Sequence, residues 1–328
     1  MSAAVLTTES LQQWYPRRRG LKGYFARTPS SWVKAVDKVS FAIAPGEVLG
    51  VTGESGCGKS TLGRMLVRLE KPFGGRVLLN GEDVEQVVKR DPLAFRRQVQ
   101  MIFQNPFDTF DPRHSIARIL TTPLCLHGIG ADEDERLEIC ADGLRSVGLA
   151  PAEDYLARWP HELSGGQLQR ISLLRSMELD PKFIVADEPV SMLDVSVRCD
   201  LLSIIMKLIL EKNTAMVFIS HDIAVTRYVA NRIAVMYLGR VVESGDTDEV
   251  IQNPLHPYTK VLISNFPSVE VGSRREGIAV HGELPTPIDP GPGCYFAPRC
   301  YAASEECRMA YPEMREICDG HWTSCHKV

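Results

Sequence analysis

The chain has 328 residues, 44% of them hydrophobic, 24% charged and 7% aromatic. These are the proportions of an ordinary globular protein of about two domains, and they exclude a disordered, collagen-like or fibrous chain. With 37 Lys+Arg against 41 Asp+Glu the formal net charge is -4, so there is no global basic field and nucleic acid is not expected as the main partner.

Residues 33–46 alternate between apolar and polar positions, and Val48, Leu49, Gly50 and Val51 form a continuous apolar run, which predicts an outer strand followed by a buried parallel strand. After a glycine-rich turn the apolar spacing becomes helical from Ser60 (Leu62, Met65, Leu66, Leu69). Gly74-Gly75 is expected to end that helix before a strand over 76–79. Between Asn105 and Pro160 the pattern is mostly helical (116–126 and 132–147), punctuated by Pro106, Pro112, Pro123 and Pro160; it is taken as a helical subdomain inserted at about 105–165. Two further buried strands are predicted at 183–186, ending in Asp187-Glu188, and at 215–219, ending in Ser220-His221-Asp222. In doubly wound sheets reactive groups collect at such carboxyl ends. The stretch 201–210 is apolar but interrupted by Ser203 and Lys207, and is about half the ~20 residues that a membrane span needs. Past Asn253 the density of proline predicts an extended, loop-rich appendage, and five of the nine cysteines fall there, after Gly293. No internal repeat is found. The expected division is 1–254 and 255–328. The N-terminus has none of the features of a secretory signal, so a cytosolic chain is expected, in which cysteines serve metal ligation or packing rather than disulfides.

Gly53-Glu54-Ser55-Gly56-Cys57-Gly58-Lys59-Ser60-Thr61 fits the phosphate-loop pattern, between a buried strand and a helix. The glycines let backbone N–H groups converge on phosphate oxygens at a helix N-terminus, Lys59 adds a point charge between the β- and γ-phosphates, and the Ser60 hydroxyl is suited to Mg²⁺. The apolar run into Asp187 and Glu188 supplies the complementary half: Asp187 toward the metal shell, and Glu188 as the base that orients water. The alternative for Glu188 is a charge at a helix N-terminus. Leu163-Ser164-Gly165-Gly166-Gln167 opens a second helix with glycines. Two phosphate-binding ends in one chain are economical if two chains pair head to tail, each closing its Ser164–Gly166 end over the other's nucleotide.

These motifs, in this order, resemble those of the ATP-binding cassette (ABC) ATPases over residues 10–265. Gly53 to Thr61 resembles the Walker A loop, Phe183 to Glu188 the Walker B strand, and Leu163 to Gln167 the signature loop. Gln104 resembles the Q-loop glutamine, Ser191 to Asp194 the D-loop, and His221 the switch histidine. The resemblance implies an α/β P-loop NTPase with a RecA-like core, an antiparallel β subdomain and an inserted helical subdomain. It implies that Gln104 senses Mg²⁺ and the membrane partner, that Asp194 crosses a dimer interface, and that His221 contacts the γ-phosphate. Tyr15 falls where the family stacks an aromatic on adenine, although an insertion at 17–31 separates it from Val33; packing on its own domain is the alternative. Arg17 to Arg19 are either solvated or near anionic lipid. Met192, where many relatives have alanine, and the bulky Leu174 depart from the family pattern without removing a catalytic group.

The tail is similar to that of oligopeptide/dipeptide importer ATPases: Cys294-Tyr295-Phe296-Ala297-Pro298-Arg299-Cys300, then Cys307 and Cys325, together with His256-Pro257-Tyr258-Thr259 and the segment 282–287. The resemblance implies a small metal-binding extension in which these four cysteines hold a 4Fe-4S cluster. A zinc site and no metal are the alternatives, and Cys318 is a surplus thiol competing for the fourth position. Cys125, Cys140 and Cys199 are expected to be small apolar helix residues. The implied function is an ATP-hydrolysing subunit, at the cytoplasmic face of the inner membrane, that powers import of a solute, foremost peptides. Its implied partners are an identical or paralogous ATPase, two permease subunits and, indirectly, an extracytoplasmic binding protein. Oligosaccharide or metal-chelate cargo, a soluble ABC ATPase acting on nucleic acid or ribosomes, and a redox-sensing module are the rival readings.

Overall fold

The computed structural model describes residues 4–17, 31–265, 278, 282 and 284–328. Arg18, Arg19, Glu283 and most of the expected insertion lie outside the described residues. The chain divides into two compact units: Met1–Leu6 with Ile43–Glu47 and Leu79–Val217, and Thr7–Ala42 with Val48–Leu78 and Phe218–Val328.

In the first unit the strand Phe183–Asp187 is buried at all five positions, as its unbroken apolar run predicts. It pairs in parallel with Val99–Ile102, in a register that sets Val99 opposite Phe183 and Ile102 opposite Ala186. The start of the strand Ala215–Ile219 joins on its other side through Ala215 N donating to Lys182 O at 3.0 Å. The helical segment forms as the periodicity predicts. Ile116–Leu126 is capped by Ser115, and Glu133–Ser146 by Asp132, whose side chain accepts from Glu135 N at 2.9 Å. Glu133, Asp134 and Glu135 fill the first turn of that second helix, where negative charge suits the helix dipole. The buried Leu174 is accommodated because Gly143 faces it: a Cβ there would stand 2.6 Å from its Cδ1.

In the second unit the strands Trp32–Ile43, Leu6–Pro16 and Gly74–Leu79 lie side by side in that order. The helix from Lys59 is shorter than its apolar spacing suggests. It stops at Leu66, Arg68 turns left-handed at φ 58°, and Leu69 is half exposed rather than on the buried face. Gly74-Gly75 accordingly opens the next strand instead of ending the helix. A Cβ on Gly75 would come within 2.3 Å of Ser10 O, so only glycine permits that close approach.

The buried strand Val48–Thr52 runs parallel to Arg232–Tyr237, with Leu49 opposite Arg232 and Thr52 opposite Val235. A tight hairpin at Leu238-Gly239 returns the chain as Arg240–Asp246. The tail, read from its prolines as loop-rich, then adds two strands to this sheet: His321–Thr323 pairs antiparallel with Arg240–Asp246, and Arg315–Cys318 forms the edge. Tyr237, Tyr258 and Phe296 pack together with ring centroids 4.7 to 5.3 Å apart. The buried Asp37 carboxylate accepts from Arg240 at 2.8 and 2.6 Å and from the Tyr295 hydroxyl at 3.1 Å. Arg240 in turn lies 3.9 Å from the Tyr311 ring centroid, which compensates a charge that would be costly to bury alone. Among the described residues no helix is long and apolar enough to cross a membrane.

Candidate nucleotide site

In each unit the candidate groups follow from strand ends. After Val48–Thr52 the chain turns through Gly53, Gly56 and Gly58 at φ 151°, 82° and 109°, a path open to glycine and strained for other residues. A Cβ on Gly58 would meet Ala35 O at 2.0 Å, and one on Gly53 would meet Met236 O at 2.2 Å. Gly58 then N-caps the helix Lys59–Leu66 with no side chain over its N-terminus, so the first N–H groups of that helix are suited to an anion. The Lys59 ammonium, 5% exposed, donates to Gly53 O at 2.8 Å and Glu54 O at 3.1 Å. Cys57 is buried behind it, and burial pushes its thiol up from the ordinary value. Ser60 is exposed at the mouth of the loop. The Tyr15 hydroxyl donates to Glu70 at 2.8 Å. Its pKa is raised by burial and then by that carboxylate, with Thr61 of the loop also within hydrogen-bond reach. Tyr15 therefore stands beside the end of the phosphate loop, half-buried and tethered by Glu70, a partner that the sequence did not suggest. In the same unit His221 is exposed just past the strand Ala215–Ile219, where Ser220 N donates to Val51 O at 3.1 Å and Asp222 caps the next helix.

In the other unit the parallel register explains a second constellation. Ile102 and Ala186 are paired, and Gln104 and Glu188 each follow two residues later, so the two side chains emerge at the same sheet edge. Gln104 Nε2 donates to Glu188 Oε2 at 3.1 Å and to Ser191 Oγ at 3.3 Å. Glu188 holds a left-handed φ of 47°, a conformation that costs a non-glycine residue energy and is often kept where a side chain must be aimed. Its carbonyl accepts from Ser191 N at 3.2 Å and Ser191 Oγ at 3.0 Å, which fixes the turn. Ser191 thus joins the site as the partner of both Gln104 and Glu188. Asp187, one residue earlier, is 7% exposed.

Ser164 caps the helix Gly165–Met177 through a reciprocal pair: Gln167 N donates to Ser164 Oγ at 3.3 Å and Ser164 N to Gln167 Oε1 at 2.9 Å. Gly166 packs against Val197, leaving 2.6 Å for a Cβ before its Cγ1. Asp194, exposed, N-caps the helix Val195–Lys212 without a side-chain bond. Gln169, 1% exposed, donates to Phe103 O at 3.2 Å and so ties this helix to the segment carrying Gln104.

In the tail, Cys294, Cys300, Cys307 and Cys325 line one small pocket together with His256 and Phe296. Cys318 does not line it and is exposed on the edge strand, so the fourth thiol is Cys325. Burial pushes Cys294 up to about 11 and raises Cys300 and Cys325 as well. The pocket's volume is about 10 Å³, room for roughly one water. Among the described residues no group of three or more His, Cys, Asp or Glu is arranged to hold a metal ion. The four thiols thus share a pocket, but the expected metal-binding extension is not seen as a formed metal site among the described residues. Of the remaining cysteines Cys140 is buried, while Cys125 and Cys199 are exposed on their helices.

The model of the ABC transporter family matches residues 36–191, and that of the oligopeptide/dipeptide transporter C-terminal region matches 242–307. The dipeptide transport ATP-binding protein DppF of Haemophilus influenzae is 42% identical over 99% of this chain and 97% of its own length. The putative oligopeptide transport ATP-binding protein YkfD of Bacillus subtilis is 42% identical over 93% of each chain. A solved dimeric ATP-binding cassette, in a post-hydrolysis state bound to ADP and Pi, matches with a TM-score of 0.64 at 25% identity, covering 74% of this chain and 98% of that one. The chain belongs to the ABC transporter family, as an ATP-binding subunit with an ABC ATPase domain and the oligopeptide/dipeptide transporter C-terminal region.

Proposed function

We propose that this chain is the ATPase that drives import of a solute, foremost peptides, from the cytoplasmic face of the inner membrane through separate permease subunits fed by an extracytoplasmic binding protein. The single observation that carries the reading is the cluster of Gln104, Glu188 and Ser191 at 3.1 and 3.3 Å: a carboxylate able to act as base, held by the glutamine whose loop leads into the helical subdomain at about 105–165. Gly53 to Thr61 would cradle the triphosphate, with Tyr15 toward adenine and His221 toward the γ-phosphate. The Ser60 hydroxyl in the one unit, and Asp187 with Gln104 in the other, are each suited to Mg²⁺, which neutralises developing phosphate charge when bound. Glu188 accepts the proton of the attacking water, and Gln104 orients the carboxylate that does so.

The signature residues Ser164, Gly165, Gly166 and Gln167, and Asp194, would serve the nucleotide of a second, identical or paralogous copy. Exposed Met192 and Val195, at 64% and 74%, support a face that a partner covers. Exposed Phe107, Leu126 and Trp159, at 50%, 62% and 42%, support contact with a membrane subunit through the helical segment. The functional division proposed is 1–254 for the ATPase and 255–328 for the extension. Co-purification with integral-membrane subunits, and ATP turnover that rises with them, are the expected results. ATP turnover stimulated by nucleic acid instead would sink the reading in favour of a soluble ABC ATPase, a class for which the net charge of -4 offers no support.

For the four-thiol pocket we propose a 4Fe-4S cluster, with zinc as the lesser alternative, on donor chemistry: four thiols and no carboxylate line it. Material purified without oxygen should absorb broadly at the blue end of the visible range and lose that band in a variant with Cys300→Ser and Cys325→Ser. Colourless protein containing zinc would reject the cluster, and metal-free protein would reject both.

A further inference from the structure

Glu54 places a carboxylate in the phosphate-binding loop, where its charge opposes the anion that the loop is shaped to hold. Arg299, 245 positions away in the sequence, answers that charge. Its Nη1 donates to both Glu54 oxygens, at 3.0 and 3.1 Å, and to the Tyr237 hydroxyl at 3.3 Å. The arginine side chain is 11% exposed and the glutamate 27%, so solvent screens the pair only in part. A second tether comes from the same part of the chain: Glu54 N donates to the Tyr258 hydroxyl at 2.8 Å. Tyr258 is fully buried near the start of the helix Pro257–Ser264, whose N-cap His256 accepts from Tyr258 N at 3.0 Å through its own Nδ1. Arg299 is equally fixed at its root, in the turn from Cys294 to Cys300, where Arg299 N donates to Phe296 O at 2.9 Å.

The third tether on this loop is Lys59, which holds the Gly53 and Glu54 carbonyls. Lys59 is also the side chain that a triphosphate needs. Once it turns to phosphate, Tyr258 and Arg299 remain to keep the first half of the loop in place. We infer that the C-terminal extension sets the charge and shape of the phosphate site, with Arg299 as a positioning residue that neutralises and holds Glu54, and Tyr258 as the anchor of its backbone. The inference rests on the ATPase reading above, and it gives the His256-Pro257-Tyr258-Thr259 and Cys294–Cys300 motifs a task at the nucleotide.

The test is MgATP titration of the full chain by calorimetry, with steady-state turnover alongside. Arg299→Ala should weaken ATP binding about fivefold, with KM rising and kcat at saturating ATP little changed, because a charge beside the phosphates is left uncompensated. The effect should shrink at high salt. Arg299→Lys, which keeps the charge and loses the fork, should fall between the two. The decisive variant is Arg299→Ala combined with Glu54→Gln, which should recover most of the lost affinity, whereas a merely structural defect would persist. Unchanged affinity in Arg299→Ala, or a loss that Glu54→Gln does not relieve, overturns the inference. If Arg299→Ala does not fold, Arg299→Lys with and without Glu54→Gln carries the same comparison. Failure of the unaltered chain to bind MgATP would instead overturn the ATPase reading.

Discussion

Replacing Glu188 by glutamine should lower ATP turnover by roughly 10²–10⁴-fold while leaving ATP binding intact, the range expected when a positioned base is lost from a proton-transfer step. The substitution keeps the side-chain length and therefore the contact with Gln104 at 3.1 Å and the turn closed by Ser191. What disappears is the ability to accept a proton from water. With binding preserved and hydrolysis blocked, the variant should accumulate as an ATP-bound dimer, measurable by light scattering with and without MgATP. Near-normal turnover in the variant would remove Glu188 from the role of base. A chain that stays monomeric in the variant under saturating MgATP, even beside its paralogue, would remove the head-to-tail arrangement.

The second large effect concerns stability. Both carboxylate oxygens of Glu178, just past the end of the helix Gly165–Met177, are buried and lack a hydrogen-bond partner. Burial raises its pKa from 4.5 to about 8, with the Lys212 charge pulling the other way. The folded chain thus holds a proton that the unfolded chain releases at much lower pH. Stability contributed by this site is complete below pH 4.5 and falls as pH rises to about 8, where Glu178 ionises without a partner. Glu178→Gln removes that dependence. It should be close to neutral at acid pH and stabilise by about 1–3 kcal/mol above the folded-state pKa. Urea unfolding at both ends of the range reads the difference, and equal pH slopes for the variant and the unaltered chain would show that Glu178 finds a partner or solvent.

The local devices were legible in the chain because each depends on neighbours in sequence. Glycines at 53, 56 and 58 are required by left-handed φ values, and Ser164, read as the opening of a helix, caps it over three residues. The strands 183–186 and 215–219 declare themselves by apolar runs with no polar interruption. The end of the first helix was not legible, because Leu69 keeps the apolar spacing although Arg68 has already turned the backbone. Nor was the burial of the Glu178 carboxylate, which depends on what packs around the end of its helix. Gln104 and Glu188 were each identifiable by order along the chain, but their contact depends on the parallel register of two strands 84 residues apart.

The tail divides in the same way. The resemblance named Cys294, Cys300, Cys307 and Cys325 with Cys318 as a surplus thiol, and it is the fold that gathers the four around one pocket while Cys318 stays on an exposed edge strand. By itself the sequence determined that this protein is a P-loop ATPase of the ABC kind, because phosphate binding demands a short, contiguous pattern of backbone conformations that few residues other than glycine can adopt. Only the tertiary structure decided which distant side chains govern that loop, as in the pairing of Arg299 with Glu54. A contact between residues so far apart is set by how strands and turns pack, and composition and spacing carry no record of it.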